Sequence, residues 1–148
     1  AARLNQPSNF PELRHPVDFK EARIMNEAKL EKQKQNLVEL GVMDPSDTLV
    51  DYLQASYVER LVGKMGPWKQ GWAYFTEERL IVLTGLLADN IVVPYRNIRE
   101  LGKCSQLLVP IGITITYEEM ETGKLVTDKI SMMKRDKWID FMAQKAGI

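Results

Sequence analysis

Few side chains in this sequence have the chemistry that catalysis or metal binding requires. Among 148 residues, His15 is the only histidine and Cys104 the only cysteine. His15 lies in a proline-rich segment ahead of the patterned region, so a Ser/His/Asp triad cannot form there and no histidine is available to activate the thiol of Cys104. The same count excludes zinc sites built from cysteine and histidine. We therefore predict that the protein is not an enzyme and carries no metal or cofactor.

The acidic and glycine-containing turns also lack a ligand pattern. Glu118, Glu119 and Glu121 form an acidic turn, but neither their number nor their spacing matches a calcium loop. The apolar segment 85–90 has no phosphate-binding residues. Twenty basic and twenty acidic side chains give a formal charge of zero, which removes the broad positive field of a non-specific nucleic-acid binder. We expect no nucleic-acid partner.

A tryptophan among lysines is the first candidate binding surface. Trp68 lies in a predicted loop at Gly63–Gln70, flanked by Lys64 and Lys69 and close to Arg60. An indole has an apolar body and a polar N–H, which suits a membrane interface or the centre of a protein contact. The same ring could instead fold back onto the rim of the domain. All three roles stay open.

A second group of basic residues follows in the chain, at Arg96, Arg99 and Lys103. If it faces the same side as Lys64 and Lys69, the combined surface attracts anionic lipid at ~1 kcal/mol per charge. The alternative is a set of scattered, solvated side chains. Sequence alone does not decide whether the two groups converge.

The N-terminal part divides into a tail and a helix. Residues 1–16 contain three prolines and few apolar side chains, which predicts a flexible tail. Residues 17–42 are predicted to form a long helix with Gly41 as its C′ cap. The helix either lies on its own domain or provides a surface for self-association. The candidate assembly residues are Phe19, Ala22, Met25, Leu37 and Leu40.

Residues 46–148 carry mainly β patterns. Glu77 and Glu78 join two short apolar runs as a tight hairpin, and Ile111–Tyr117 alternates strictly between apolar and other residues. Trp138 and Phe141 lie on one stripe of a final amphipathic helix, where they would close one end of a barrel. The pattern predicts seven short antiparallel strands followed by one helix.

Several phrases in this region resemble the pleckstrin-homology (PH) superfold, and most closely its bacterial PH-like and GRAM-type members. The phrases are Ala55-Ser-Tyr57, Gly71-Trp-Ala-Tyr-Phe-Thr-Glu-Glu-Arg-Leu-Ile-Val82 and Val92-Val-Pro-Tyr-Arg-Asn-Ile98. The resemblance covers about residues 47–147. It implies a seven-stranded, partly open antiparallel barrel capped by a C-terminal helix, here preceded by the long N-terminal helix. Thr76 and Arg79 would then belong to a hairpin held by side-chain to backbone hydrogen bonds.

The same resemblance limits the functions to consider. PH-like domains bind lipid headgroups, bind peptides or act as scaffolds, and the fold does not choose among them. Headgroup binders of this family have a second basic residue two places after the one that opens the second strand. Gly71 stands two places after Lys69, so that pattern is broken here.

We therefore expect a non-catalytic binding module that engages a protein partner. Two alternatives are weak binding to an anionic membrane or lipid headgroup, and a subunit that forms homo-oligomers through its N-terminal helix. One cysteine cannot form an intrachain disulfide, and no apolar run approaches the ~20 residues of a membrane span. The first residues do not resemble a signal peptide. These features predict a cytoplasmic protein, with peripheral membrane association if the lipid alternative holds.

Overall fold

The computed structural model describes the backbone of residues 16–61, 64–84, 90–106 and 109–148. Side chains are described over the same ranges except at 16–24, 59–61, 64–67 and 106. This part of the chain contains two helices, α1 (Pro16–Glu39) and α2 (Arg135–Ala146). Its seven strands are β1 (Leu49–Leu61), β2 (Lys64–Thr76), β3 (Arg79–Leu83), β4 (Ile91–Pro94), β5 (Ile98–Gln106), β6 (Val109–Glu118) and β7 (Leu125–Met132). The predicted order of seven strands followed by a helix is confirmed.

All seven strands belong to one open antiparallel sheet in the order β4-β3-β2-β1-β7-β6-β5. The 3-10 turn Tyr95–Asn97 connects β4 and β5, which are the two edge strands of this sheet. Because β1 pairs with both β2 and β7, it joins a first half of four strands to a second half of three. The alternation from Ile111 to Tyr117 corresponds to β6, whose Ile113 and Ile115 are fully buried.

The inner face of the sheet encloses the main hydrophobic core, here named the inner cluster. Trp138 of α2 is 2% exposed and stacks on Phe75 with 4.0 Å between ring centroids. Phe141 meets both of these rings edge-on, as aromatic pairs prefer. The sequence predicts that Trp138 and Phe141 close one end of a barrel, and in the structure they pack against the inner face of an open sheet. The buried members are Ala55, Tyr57, Ala73, Phe75, Leu80, Val82, Ile91, Val93, Tyr95, Ile98, Ile113, Ile115, Tyr117, Ile130, Met132, Trp138 and Met142.

A second, smaller core covers the outer face of the first half of the sheet. This outer cluster combines the C-terminal end of α1 and the segment after it with side chains of β1, β2 and β3. Its buried members are Leu37, Val42, Met43, Leu49, Tyr74 and Ile81. Leu30 and Val38 of α1 pack against it, whereas residues 25–29 of the helix are exposed. Among the described side chains of α1, those that pack against the sheet therefore lie from Leu30 to its C-terminal end.

Gly41 ends α1 in the conformation that the sequence predicts. Its φ is +78°, in the left-handed region that favours glycine. The N–H of Val42 donates to the carbonyl of Leu37 and the N–H of Gly41 donates to that of Val38, which is the Schellman pattern. Val42 and Leu37 are both buried in the outer cluster, so the cap also fixes the direction in which the chain enters that core.

The hairpin between β2 and β3 is held as predicted. The Thr76 hydroxyl accepts hydrogen bonds from the backbone N–H of Glu78 and Arg79 and donates to the carbonyl of Arg79. The guanidinium of Arg79 also donates to the carbonyl of Val42 and pairs with Asp44 at 3.3 Å. Arg79 thereby ties the segment after α1 to the sheet, a contact that the sequence analysis does not include.

Candidate functional site

The first predicted basic surface does not lie on a loop. Lys64–Thr76 is one continuous strand, so the prediction of a loop at Gly63–Gln70 is wrong. Gly66 and Pro67 are typical of a loop. The ladder between β1 and β2 accommodates them at a register shift that lies between the Val58–Trp68 and Arg60–Met65 pairs. A proline is tolerated here because this stretch of β2 pairs with β1 alone among the described strands. The side chains of Arg60 and Lys64 lie outside the described part.

Trp68 and Lys69 point to opposite faces of the sheet. In the ladder Trp68 stands opposite Val58, and Lys69 stands opposite Tyr57, a member of the inner cluster. Directly opposed residues of antiparallel strands share a face, and neighbours along one strand do not. Trp68 is half-buried and Lys69 is exposed. The prediction that Trp68 and its flanking lysines share one surface is therefore wrong as far as Lys69 is concerned.

The largest exposed aromatic ring of the described sheet is Trp72, which the sequence analysis does not select. Its side chain is 42% exposed on the outer face, 5.9 Å from the ring of Tyr52, and Tyr52 stacks on Tyr74 at 5.7 Å. Gln54, directly opposite Trp72, and Gln70, two places earlier on the same strand, are exposed beside it. We name Tyr52, Gln54, Gln70 and Trp72 the aromatic face. The alternation from Gln70 to Tyr74 is the signal that could have identified it.

The second basic group is largely paired within the protein. Arg99 forms a 3.0 Å ion pair with Glu118 and also donates to the carbonyl of Arg96. Lys103 pairs with Asp136 at 2.9 Å, and this hydrogen bond together with the lysine's charge holds the pKa of Asp136 below its ordinary value. Arg96 is exposed.

The two basic groups also lie on separated strands. Three strands, β1, β7 and β6, stand between β2 and β5 in the sheet order. Lys69 belongs to β2, whereas Arg99 and Lys103 belong to β5. The sheet order thus gives Lys69 no strand neighbour in the second group.

A buried carboxylate inside the sheet is a further feature that the sequence analysis misses. Asp128 of β7 is 1% exposed. Its two oxygens accept hydrogen bonds from the Tyr57 hydroxyl at 3.2 Å and the Tyr117 hydroxyl at 2.6 Å. Burying a carboxylate is costly unless it is hydrogen-bonded, and the two phenols supply such bonds. The signal was an acidic residue at an inward position between Val126 and Ile130.

Tyr95 anchors the 3-10 turn to the hairpin between β2 and β3. Its hydroxyl donates to the carbonyl of Thr76 at 2.8 Å. Burial raises the pKa of Tyr95 far above its ordinary value, and the negative charges of Asp47 and Glu77 add to the effect. The phenol therefore stays protonated and acts as a structural donor. Lys145 of α2 pairs with Glu77 at the same hairpin.

The candidate assembly residues of the predicted N-terminal helix fall into three groups. Leu37 is 1% exposed within the outer cluster, so the prediction that it serves as an assembly contact does not fit: its own domain already covers it. Met25 and Leu40 are more than half exposed. The side chains of Phe19 and Ala22 lie outside the described part.

The described residues contain no cluster of three histidine, cysteine or acidic side chains arranged to hold a metal ion. Cys104 is half-buried, and its sulfur occupies the space above Gly112, where an added Cβ would lie 2.4 Å away. His15 lies outside the described part. None of the described helices is long and apolar enough to cross a bilayer.

Comparison with known proteins informs the fold alone. No family model matches the sequence, and no curated protein does. Among solved structures, the C-terminal domain of an unknown protein from Leishmania infantum aligns with a TM-score of 0.56 and 17% identity, over 80% of this chain and 97% of that one. The DH/PH domains of PDZ-RhoGEF in complex with activated RhoA align with a TM-score of 0.51 and 9% identity, over 74% of this chain and 32% of that one.

The DH/PH domains of p115-RhoGEF give a similar result, with a TM-score of 0.50, 11% identity, and coverage of 75% of this chain and 34% of that one. The present chain thus spans about a third of these two fragments. The structural neighbours agree with the observed seven-stranded antiparallel sheet and C-terminal helix. The chain has a PH-like fold.

Proposed function

We propose that this protein is a non-catalytic binding module that engages a protein partner through its aromatic face. The observation that carries the proposal is the 42% exposure of Trp72 beside Tyr52. The centres of protein interfaces are enriched in tryptophan and tyrosine and depleted of charge, and the aromatic face has two such rings and no charged side chain. Tyr52 is itself stacked on the buried Tyr74, so little side-chain entropy is lost when a partner binds.

The fold is compatible with this role, because PH-like domains include binding modules for proteins and lipids. The PDZ-RhoGEF fragment is an example of a neighbour seen together with a protein, RhoA. The proposal also includes three further features of this protein. It belongs to the bacterial PH-like or GRAM-type members of the fold, it is cytoplasmic, and it has no catalytic activity.

The test is affinity capture with the immobilised wild-type protein and two variants. Trp72→Ser removes the exposed indole, whereas Leu125→Ser removes a 61% exposed apolar side chain elsewhere on the sheet and serves as the matched control. We expect the control to retain the same partner as the wild type and Trp72→Ser to retain roughly tenfold less or none. Equal retention by both variants would exclude the aromatic face as the interface.

The membrane alternative is tested in parallel by co-sedimentation with anionic and with neutral vesicles at low and physiological salt. Attraction between exposed charges and anionic lipid weakens as salt rises, whereas a contact centred on Trp72 persists. Because Arg99 and Lys103 already have acidic partners, we expect no salt-sensitive sedimentation. Sedimentation that needs anionic lipid, combined with no captured protein, would replace the protein-binding proposal by the lipid one.

A further inference from the structure

The β1–β2 hairpin continues beyond its last backbone pairing with the rest of the sheet. β1 pairs with β7 at only three positions, of which Tyr57–Ile130 is the last, and β3 pairs with β2 only from Trp72 onward. Residues 58–61 of β1 and 64–68 of β2 therefore pair only with each other within the described part of the chain. We name these two stretches the arm. An isolated two-stranded ribbon is marginally stable in water, so the position of the arm depends on contacts near its base, where Val58 is buried and Trp68 is half-buried.

The buried carboxylate stands at that base. Tyr57 is the residue immediately before the arm, and its hydroxyl donates to Asp128, two residues before Ile130 on the same inward face of β7. Asp128 also accepts from Tyr117 of β6. A side-chain connection between β1 and β7 thus continues where their backbone ladder stops. Hydrogen bonds to a carboxyl group in a buried setting are stronger than the same bonds at the surface.

We propose that Tyr57, Asp128 and Tyr117 form a clamp that fixes the arm relative to the second half of the sheet. In this role Asp128 is a positioning residue. The clamp takes over from the backbone ladder, because it joins three strands through one carboxylate at the point where β1 leaves β7. Its removal is expected to loosen the arm while leaving the inner cluster packed.

The clamp also bears on the aromatic face, and this consequence rests on the proposed function. Trp68, Gln70 and Trp72 share one face of β2, with Trp68 in the arm and Trp72 where β3 begins to pair. Holding the arm therefore also holds the orientation of Trp68 relative to Trp72. A partner that contacts both rings would bind a loosened arm less tightly, since it would have to order the arm on binding.

The experiment is residue-resolved amide hydrogen exchange on the whole protein with Asp128→Asn and Tyr57→Phe. An amide cannot accept a hydrogen bond through its nitrogen, so Asp128→Asn leaves one phenol without its acceptor. Tyr57→Phe removes the hydroxyl that links β1 to Asp128, and this variant serves if the first one does not fold. We expect exchange of the ladder amides in the arm to speed up about tenfold or more, while amides of Ile113, Ile115 and Ile130 keep their protection.

The matched control is Thr116→Val. Thr116 and Thr127 stand next to Tyr117 and Asp128 on the same two strands, and their hydroxyls share a 2.8 Å hydrogen bond on the opposite face. This variant is expected to leave exchange in the arm unchanged. Once Tyr57→Phe has broken the side-chain connection from β1 to β7, adding Asp128→Asn should not speed up exchange in the arm any further.

Two outcomes would overturn the clamp. One is unchanged exchange in the arm of both variants, and the other is an equal acceleration in the arm and in β6–β7, which would make the three residues ordinary contributors to stability. Exchange in the free protein does not involve a partner. Failure of the clamp is therefore distinguishable from failure of the aromatic face, which the Trp72→Ser capture experiment measures separately.

Discussion

The inner and outer clusters bury apolar side chains on opposite faces of the same strands, but they are assembled differently. The inner cluster draws on all seven strands and on α2, so its members come from positions 55 to 142. The outer cluster depends on the end of α1 and the segment after it, which reach the sheet through a few side chains around Leu37. We therefore expect the sheet and α2 to stay folded when α1 is loosened, whereas α1 should not stay docked when the sheet unfolds.

The largest effect is expected for Trp138→Ala in the inner cluster. Truncating a buried tryptophan costs about 3–5 kcal/mol of the free energy of unfolding, and here it also removes the stack on Phe75. Urea unfolding followed by circular dichroism should show a single transition at much lower urea. Met133→Ala, at a side chain 69% exposed, is the control and should shift the midpoint little. A loss below ~1 kcal/mol for Trp138→Ala would show that α2 does not close this core.

A smaller and local effect is expected for Leu37→Ala in the outer cluster. Removing a buried leucine side chain costs about 2–3 kcal/mol of local stability, at the low end for such changes because α1 itself can shift to fill the space. Native-state hydrogen exchange should show faster exchange in residues 30–39 and unchanged exchange in β6 and β7. Leu40→Ala, one turn further on and exposed, is the matched control. Equal acceleration in all these segments would mean that the two clusters form a single cooperative unit.

The smallest loss of stability is expected when a glycine is replaced by alanine, once beside the outer cluster and once in the sheet that forms the inner cluster. Gly41 after α1 and Gly123 in the β6–β7 turn have φ values of +78° and +69°, and an added Cβ meets nothing within 4 Å at either position. Alanine should therefore cost only backbone strain, about 1 kcal/mol in each case. We expect Gly123→Ala to lower the stability of the whole domain, whereas Gly41→Ala affects exchange in α1 alone. Identical exchange patterns in the two variants would contradict the separation of the clusters.

Local patterns predicted the elements well and the contacts between them poorly. The hairpin at Thr76 and Arg79, the alternation in β6 and the cap at Gly41 all depend on neighbours within a few residues, so their residue types were sufficient. The loop predicted around Pro67 failed because a strand paired on one side tolerates a proline and a register shift. The bond from Tyr57 to Asp128 joins residues 71 positions apart, and no local pattern encodes such a contact.

The open order of the sheet leaves β4 and β5 as its two terminal strands, and both have features that oppose association with another sheet. β4 is only four residues long and ends at Pro94, which has no N–H to offer a new neighbour. β5 carries Arg99 and Lys103 and has two register shifts against β6. Short length, proline, charge and irregular register are the means by which natural sheets avoid edge-to-edge aggregation. Ends of this kind therefore disfavour pairing of either edge with the sheet of a second copy of the chain.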